Sequence, residues 1–82
     1  MARLIYLGKL MDAVGKESEQ LDLPADISDS AQLRAWLDET HGLDGVLTDT
    51  SVRIAVNDEV AIEPCEISNT LEIVFFPPVG GG

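Results

Sequence analysis

The sequence predicts an α+β domain in which one helix lies across a mixed sheet. Three observations point there: five short segments of strand character, one well-capped amphipathic helix between the second and third of them, and a length of 82 residues. That length suffices for one compact domain and not for two. With 45% hydrophobic residues the chain has material for a core. At this size only about 60–65% of the surface of the unfolded chain is buried on folding, so the core must be economical.

Residues 3–7 (Arg-Leu-Ile-Tyr-Leu) read as a mostly buried strand. Residues 10–14 (Leu-Met-Asp-Ala-Val) before Gly15 read as one short helical turn stopped by glycine. Residues 17–23 alternate and end at Pro24, which makes them the hairpin partner of the first strand. The clearest helix spans residues 28–41. Ser28 or Asp29 can cap its first free amides, and with Asp29 as cap Gln32 stands at the capping-box position. Leu33, Trp36 and Leu37 share one face, Arg34, Asp38 and Glu39 are expected outward, and Gly42 suits a left-handed C-terminal residue. Residues 52–56 and 59–62 read as two strands around an Asn57-Asp58 turn, and residues 71–76 as a last apolar strand.

Fifteen acidic residues stand against five basic ones, a formal net charge of −10. Nucleic-acid binding needs a basic stripe to release phosphate counterions, and an anionic membrane repels such a chain, so neither is an expected partner. A protein partner with a basic face fits the charge, and so does plain solubility. The first residues lack the apolar run and small-residue cleavage site of a signal peptide, and no segment approaches the ~20 apolar residues of a membrane span. Cys65 is the one cysteine and has no partner for a disulfide or a CxxC site. A cytoplasmic location is the expectation.

The informative stretch is Val74-Phe75-Phe76-Pro77-Pro78-Val79-Gly80-Gly81-Gly82. Pro77 and Pro78 end the strand and favour an extended exit, and three glycines follow without side chains. The expected division is a domain over residues 1–76 and a tail over 77–82. Six extended residues reach roughly 20 Å, enough to present a terminal carboxylate inside a narrow channel of another protein. A carboxylate is a poor electrophile until activated as an acyl-adenylate, and glycine lets an activating enzyme approach the backbone closely. Ordering such a tail costs entropy, which burial of neighbouring apolar groups such as Phe75, Phe76 and Val79 must offset. A terminus can end in frayed glycines for no functional reason. The combination with a hydrophobic strand and Pro-Pro is the more specific pattern.

This tail resembles the Phe-Pro-Pro-Val-x-Gly-Gly ending of molybdopterin synthase small subunits, the MoaD/ThiS-like sulfur carriers, with Gly80 at the variable position. Ala55-Val56-Asn57 followed by Val60 looks like the central hairpin of that family, and residues 10–15 are similar to its turn after the first strand. The sequence departs from the family at residues 68–71 (Ser-Asn-Thr-Leu), where an Asp-Gly-Asp turn is common. The resemblance implies a β-grasp, ubiquitin-like fold. It also implies that Gly82 is adenylated by an ATP-using, ubiquitin-activating-like adenylyltransferase and converted to a thiocarboxylate. The tail would then enter the molybdopterin synthase large subunit to donate sulfur, the chain being no enzyme on its own. Gly82 would carry the sulfur, Gly81 would thread the channel, and Phe75, Phe76, Pro77, Pro78, Val79 and Gly80 would meet partners. ATP is used by the activating partner, and no stably bound cofactor or metal is implied.

Other residues give weaker signals. His41, in the last helical turn, reads as structural. Cys65 could carry a persulfide, but Glu63 and Glu66 flank it and no basic residue adjoins it, so packing is preferred. The carboxylates Asp26 and Asp29, or Asp44 and Asp49, lack the spacing of a calcium loop. Isolated Gly8 and Gly15 cannot cradle phosphate. Two further functions share the same activation chemistry: sulfur carriage for thiamine, cysteine or tRNA thiolation, and a ubiquitin-like protein modifier.

Overall fold

The computed structural model describes residues 1–69 and 71–77. Strand β1 (Ala2–Tyr6) buries Ala2, Leu4 and Tyr6 and turns Arg3 and Ile5 the other way, the period-two pattern of a strand with one face on a core. Helix α1 (Lys9–Val14) follows, and Gly15 closes it with φ 91°, its N–H bonded to the Met11 carbonyl. Strand β2 (Ser18–Leu21) returns antiparallel to β1, shorter than the expected 17–23.

Helix α2 (Ser30–His41) begins as its sequence specifies. Asp29 is the N-cap, its carboxylate accepts from the Gln32 amide at 2.8 Å, and the Gln32 side chain reaches back to the Asp29 amide. Ser28, the alternative cap, donates its hydroxyl to the same Gln32 oxygen. Gly42 ends the helix in the left-handed region, φ 64°, with its N–H on the carbonyls of Asp38 and Glu39. Leu33 and Leu37 are fully buried and Trp36 packs half-buried beside them.

Arg34 corrects the expectation of an outward residue. It is buried, and its five N–H donors are all engaged: Nε and Nη2 form a fork on the Glu63 carboxylate at 2.9 and 2.6 Å, and the rest reach the carbonyls of Leu47, Asp49 and Val52. Asp38, also expected outward, is half-buried and accepts from the Leu47 amide at 2.9 Å. Together these two side chains hold the irregular connection after α2, which supplies Leu43 and Leu47 to the core.

Strand β3 (Arg53–Val56) turns through Asn57 (φ 49°) and Asp58 (φ 72°) into β4 (Glu59–Val60). Positive φ at both central residues is the type I′ pattern that matches strand twist. β4 is two residues long, half the expected 59–62. The Ala61 amide still bonds the Ile54 carbonyl, but Ile62 is 91% exposed and gains nothing from the sheet. Strand β5 (Glu72–Phe76) slots between β1 and β3. The order is β2-β1-β5-β3-β4, with β1 and β5 parallel and every other pair antiparallel. α2 covers one face, where Leu33 and Leu37 meet Leu4, Ile54, Ile73 and Phe75 in one cluster. A mixed five-stranded sheet with a helix across it is the β-grasp arrangement. Among the described residues no helix is long and apolar enough to cross a membrane.

Candidate functional site

β5 is the central strand, and Pro77, the last described residue, follows directly on its end. It is paired on both sides: Tyr6 stands opposite Phe75 in β1, and Arg53 opposite Phe76 in β3. The Leu7 amide extends the pairing to the Phe75 carbonyl at 3.0 Å. The launch point is therefore held by two neighbouring strands.

The residues singled out in the sequence divide at this point. Phe75 is fully buried and stacks on Tyr6, ring centroids 5.6 Å apart. It anchors the strand and offers no surface, which corrects its expected place among partner contacts. Phe76 points the opposite way and is half-buried, as is Pro77. Pro78, Val79, Gly80, Gly81 and Gly82 lie outside the described residues.

Around this exit lies apolar surface that the sequence reading did not single out. Strand alternation turns Ile5, Val74 and Ala55 away from α2, and the registers Ile5↔Val74 and Ala55↔Val74 set them side by side, with Val60 opposite Ala55. Val60 is 62% exposed, and Leu7 and Met11 stand open beside the β1–α1 corner. The alternation in β1 and β5 was the available signal, masked because Ile5, Val74 and Phe76 on the outer face are as apolar as the core positions. Beside β3 a groove of about 650 Å³ is lined by Ala31, Thr50, Arg53, Ile62 and Pro64. The Arg34–Glu63 pair at its floor is already satisfied internally.

The buried polar groups are structural. Tyr6 donates its hydroxyl to Glu19 Oε2 at 2.7 Å, His41 Nε2 lies 2.7 Å from the same oxygen, and Lys16 reaches Oε1 at 3.4 Å. Burial, then the Glu19 carboxylate, hold the Tyr6 phenol protonated far above its usual range. Burial raises Glu19, but the bonds from Tyr6 and His41 and the charges of His41 and Lys16 outweigh it and leave the carboxyl below its usual range. Glu63 follows the same logic, burial opposed and outweighed by Arg34. His41 thus ties α2 to β2, in keeping with its structural reading.

Cys65 is half-buried against the core, and its amide donates to Ser30 Oγ at 3.1 Å. Asp29 is spent as a helix cap, and Asp49 binds the Ser51 amide and hydroxyl. No group of three or more metal-ligating side chains converges among the described residues. At residues 68–71, Asn69 accepts from the Leu23 amide at 2.7 Å and fastens the approach to β5.

Comparison with known proteins agrees with this geometry. A protein assigned as molybdopterin converting factor subunit 1 from Pyrococcus furiosus superposes with a TM-score of 0.77 at 21% identity, over 95% of this chain and 97% of that one. The small archaeal modifier protein 1 of Haloferax volcanii gives 0.78 at 18% identity, over 99% and 98%. A complex of subunits 1 and 2 of molybdopterin-converting factor from Helicobacter pylori contains a chain that gives 0.64 at 26% identity, over 99% and 97%. No curated protein sequence matches the chain. The ThiS family model matches residues 4–82, from the first strand through the terminal glycines. The chain belongs to the ThiS family.

Proposed function

We propose that this chain is a sulfur carrier that acts through Gly82 as the small subunit of molybdopterin synthase. The observation that carries the reading is the family match running to residue 82, over a tail launched from the central strand of the fold. On this reading the chain is the sulfur-donating subunit of a complex, and the catalytic groups belong to its partners. In the proposed sequence an adenylyltransferase joins the Gly82 carboxylate to AMP from ATP and releases pyrophosphate. A sulfide equivalent then displaces AMP and leaves a thiocarboxylate. Phe76, Pro77 and Val79 would guide the tail, with Gly81 threading the channel, and a large subunit would receive the sulfur for transfer to a pterin precursor. The subunit 1–subunit 2 complex from Helicobacter pylori supports such a partner.

A second reading, a ubiquitin-like modifier joined to lysines, is favoured by the similarity to small archaeal modifier proteins. Intact mass of the chain isolated from its own cells, with fragmentation, separates the two. Replacement of one terminal oxygen by sulfur at Gly82 is the expected result. Isopeptide-linked adducts with no thiocarboxylate would replace the first reading by the second.

A further inference from the structure

We propose that Gly8 is a positioning residue for the tail: the β1–α1 corner forms a seat for Pro77, and only glycine at position 8 lets that seat form. This inference rests on the proposed activation of the tail. Gly8 has φ 55° and ψ −132°, and the Leu10 amide bonds the Leu7 carbonyl at 3.1 Å. Those dihedrals are those of the first central position of a type II′ turn, where an L side chain is strained. A second, independent constraint acts on the same residue. A Cβ at position 8 would stand 3.3 Å from Pro77 Cγ and 3.8 Å from Cδ. The ring of Pro77 therefore packs against the place a side chain would occupy, closer by a few tenths of an ångström than a Cβ ordinarily allows.

The seat has a direction built into it. The Leu7 amide is bonded to the Phe75 carbonyl, so the corner runs alongside the end of β5 instead of crossing it. Pro77 fixes its own φ, and contact with Gly8 fixes where its ring lies. The first tail residue is thus held against the β1–α1 corner before any partner binds, beside a corner whose Leu7 is exposed. Pre-orientation of this kind lowers the ordering cost that binding must meet, and for a glycine tail that cost is large. The effect belongs in the affinity of the activating enzyme for the carrier and not in the rate of the chemical step, because neither residue reaches the reacting carboxylate.

The test is ATP–pyrophosphate exchange by the adenylating enzyme from the same cells, with the full-length chain as the varied substrate. Pro77→Gly removes the ring and frees the exit. It is expected to raise KM roughly two- to five-fold with kcat unchanged, the factor that proline–glycine backbone entropy predicts. Gly8→Ala keeps the ring, strains the turn and pushes the ring aside by a few tenths of an ångström, and is expected to raise KM at least as much as Pro77→Gly, because the pre-orientation is lost. In the double variant Gly8→Ala/Pro77→Gly the Cβ meets no ring. The turn strain of the alanine remains but the clash is gone, so the rise in KM should be clearly smaller than the product of the two single losses, a rescue that general destabilisation cannot give. Multiplied losses in the double variant, or an unchanged KM in Pro77→Gly, overturn the inference. If Gly8→Ala yields no dispersed amide spectrum, the Pro77→Gly result decides alone. Proton cross-peaks between Gly8 Hα and the Pro77 ring in the free wild-type chain are also expected, and their absence overturns the seat while normal exchange leaves the sulfur-carrier reading standing. A wild-type chain that supports no exchange removes that reading, and the inference with it.

Discussion

Arg34 shows how much one side chain can organise in a chain of this size. Its planar fork meets Glu63 on two atoms, which a lysine cannot reproduce, and its remaining donors close over backbone carbonyls that would otherwise be buried without partners. Removing it strands both the carboxylate and the carbonyls of Leu47 and Val52. Arg34→Met, which keeps the length of the stem, should cost roughly 3 kcal/mol of stability by urea titration, the loss expected for a broken, largely buried pair. Arg34→Lys should recover only part of it. A loss within experimental error for Arg34→Met would mean that the loop after α2 holds itself. Helix periodicity alone does not announce this role: position 34 lies about 100° round the helix from Leu33, at the edge of the apolar stripe, and a charged residue there reads as solvated. Its partner Glu63 is 29 positions away, where local pattern carries no information.

At the scale of elements, the parts specified by nearest neighbours were legible and the parts specified by distant ones were not. The capping box of α2 and the glycine stops at Gly15 and Gly42 were readable because backbone geometry at those positions depends on one or two side chains. The Asn57-Asp58 turn was readable for the same reason. The end of β4 was not, because whether Ile62 pairs depends on where the following chain goes. The turn also supports a prediction. Asn57 has a second task, since its Oδ1 accepts from the Glu72 amide at 3.0 Å and its own amide donates to the Glu72 carbonyl at 2.9 Å. Asp58 has none of these bonds and sits at φ 72°, where an L residue with a Cβ is strained. Asp58→Gly completes the preferred Asn-Gly pair and should stabilise the fold by about 1 kcal/mol, the left-handed strain relieved less the entropy of glycine. Asn57→Gly should instead destabilise, because it removes the clamp on β5. Thermal unfolding of both variants checks the pair: stabilisation in both would show that backbone strain and not the clamp governs the turn, and destabilisation in both would show that the strain at Asp58 is not relieved by glycine.

For the whole molecule, the signal of the tail is purely sequential, whereas the apolar face beside the end of β5 exists only once four strands are aligned. Ile5, Val74, Ala55 and Val60 come from four separate segments, and the register alone joins them. Charge is likewise a property of the whole. A net −10 destabilises the compact state by self-repulsion at neutral pH, and protonating ordinary surface carboxylates relieves it. Glu19 and Glu63 act the other way. Each is held below its ordinary value of 4.5 in the folded chain, so the unfolded chain binds protons first as pH falls. Their contribution is therefore fully present above about pH 4.5 and is lost as the pH drops through their folded values. The two effects separate in a difference measurement. Glu19→Gln/Glu63→Gln leaves thirteen of the fifteen acidic residues to titrate in both chains, so much of the pH dependence of self-repulsion is common to wild type and variant. The wild type should be the more stable at pH 7, with the gap closing steadily below about pH 4.5. Urea titrations across that range measure the gap. A difference that stays constant with pH would mean that the two carboxyls stabilise the fold by packing and hydrogen-bond geometry alone, with no contribution from their ionisation.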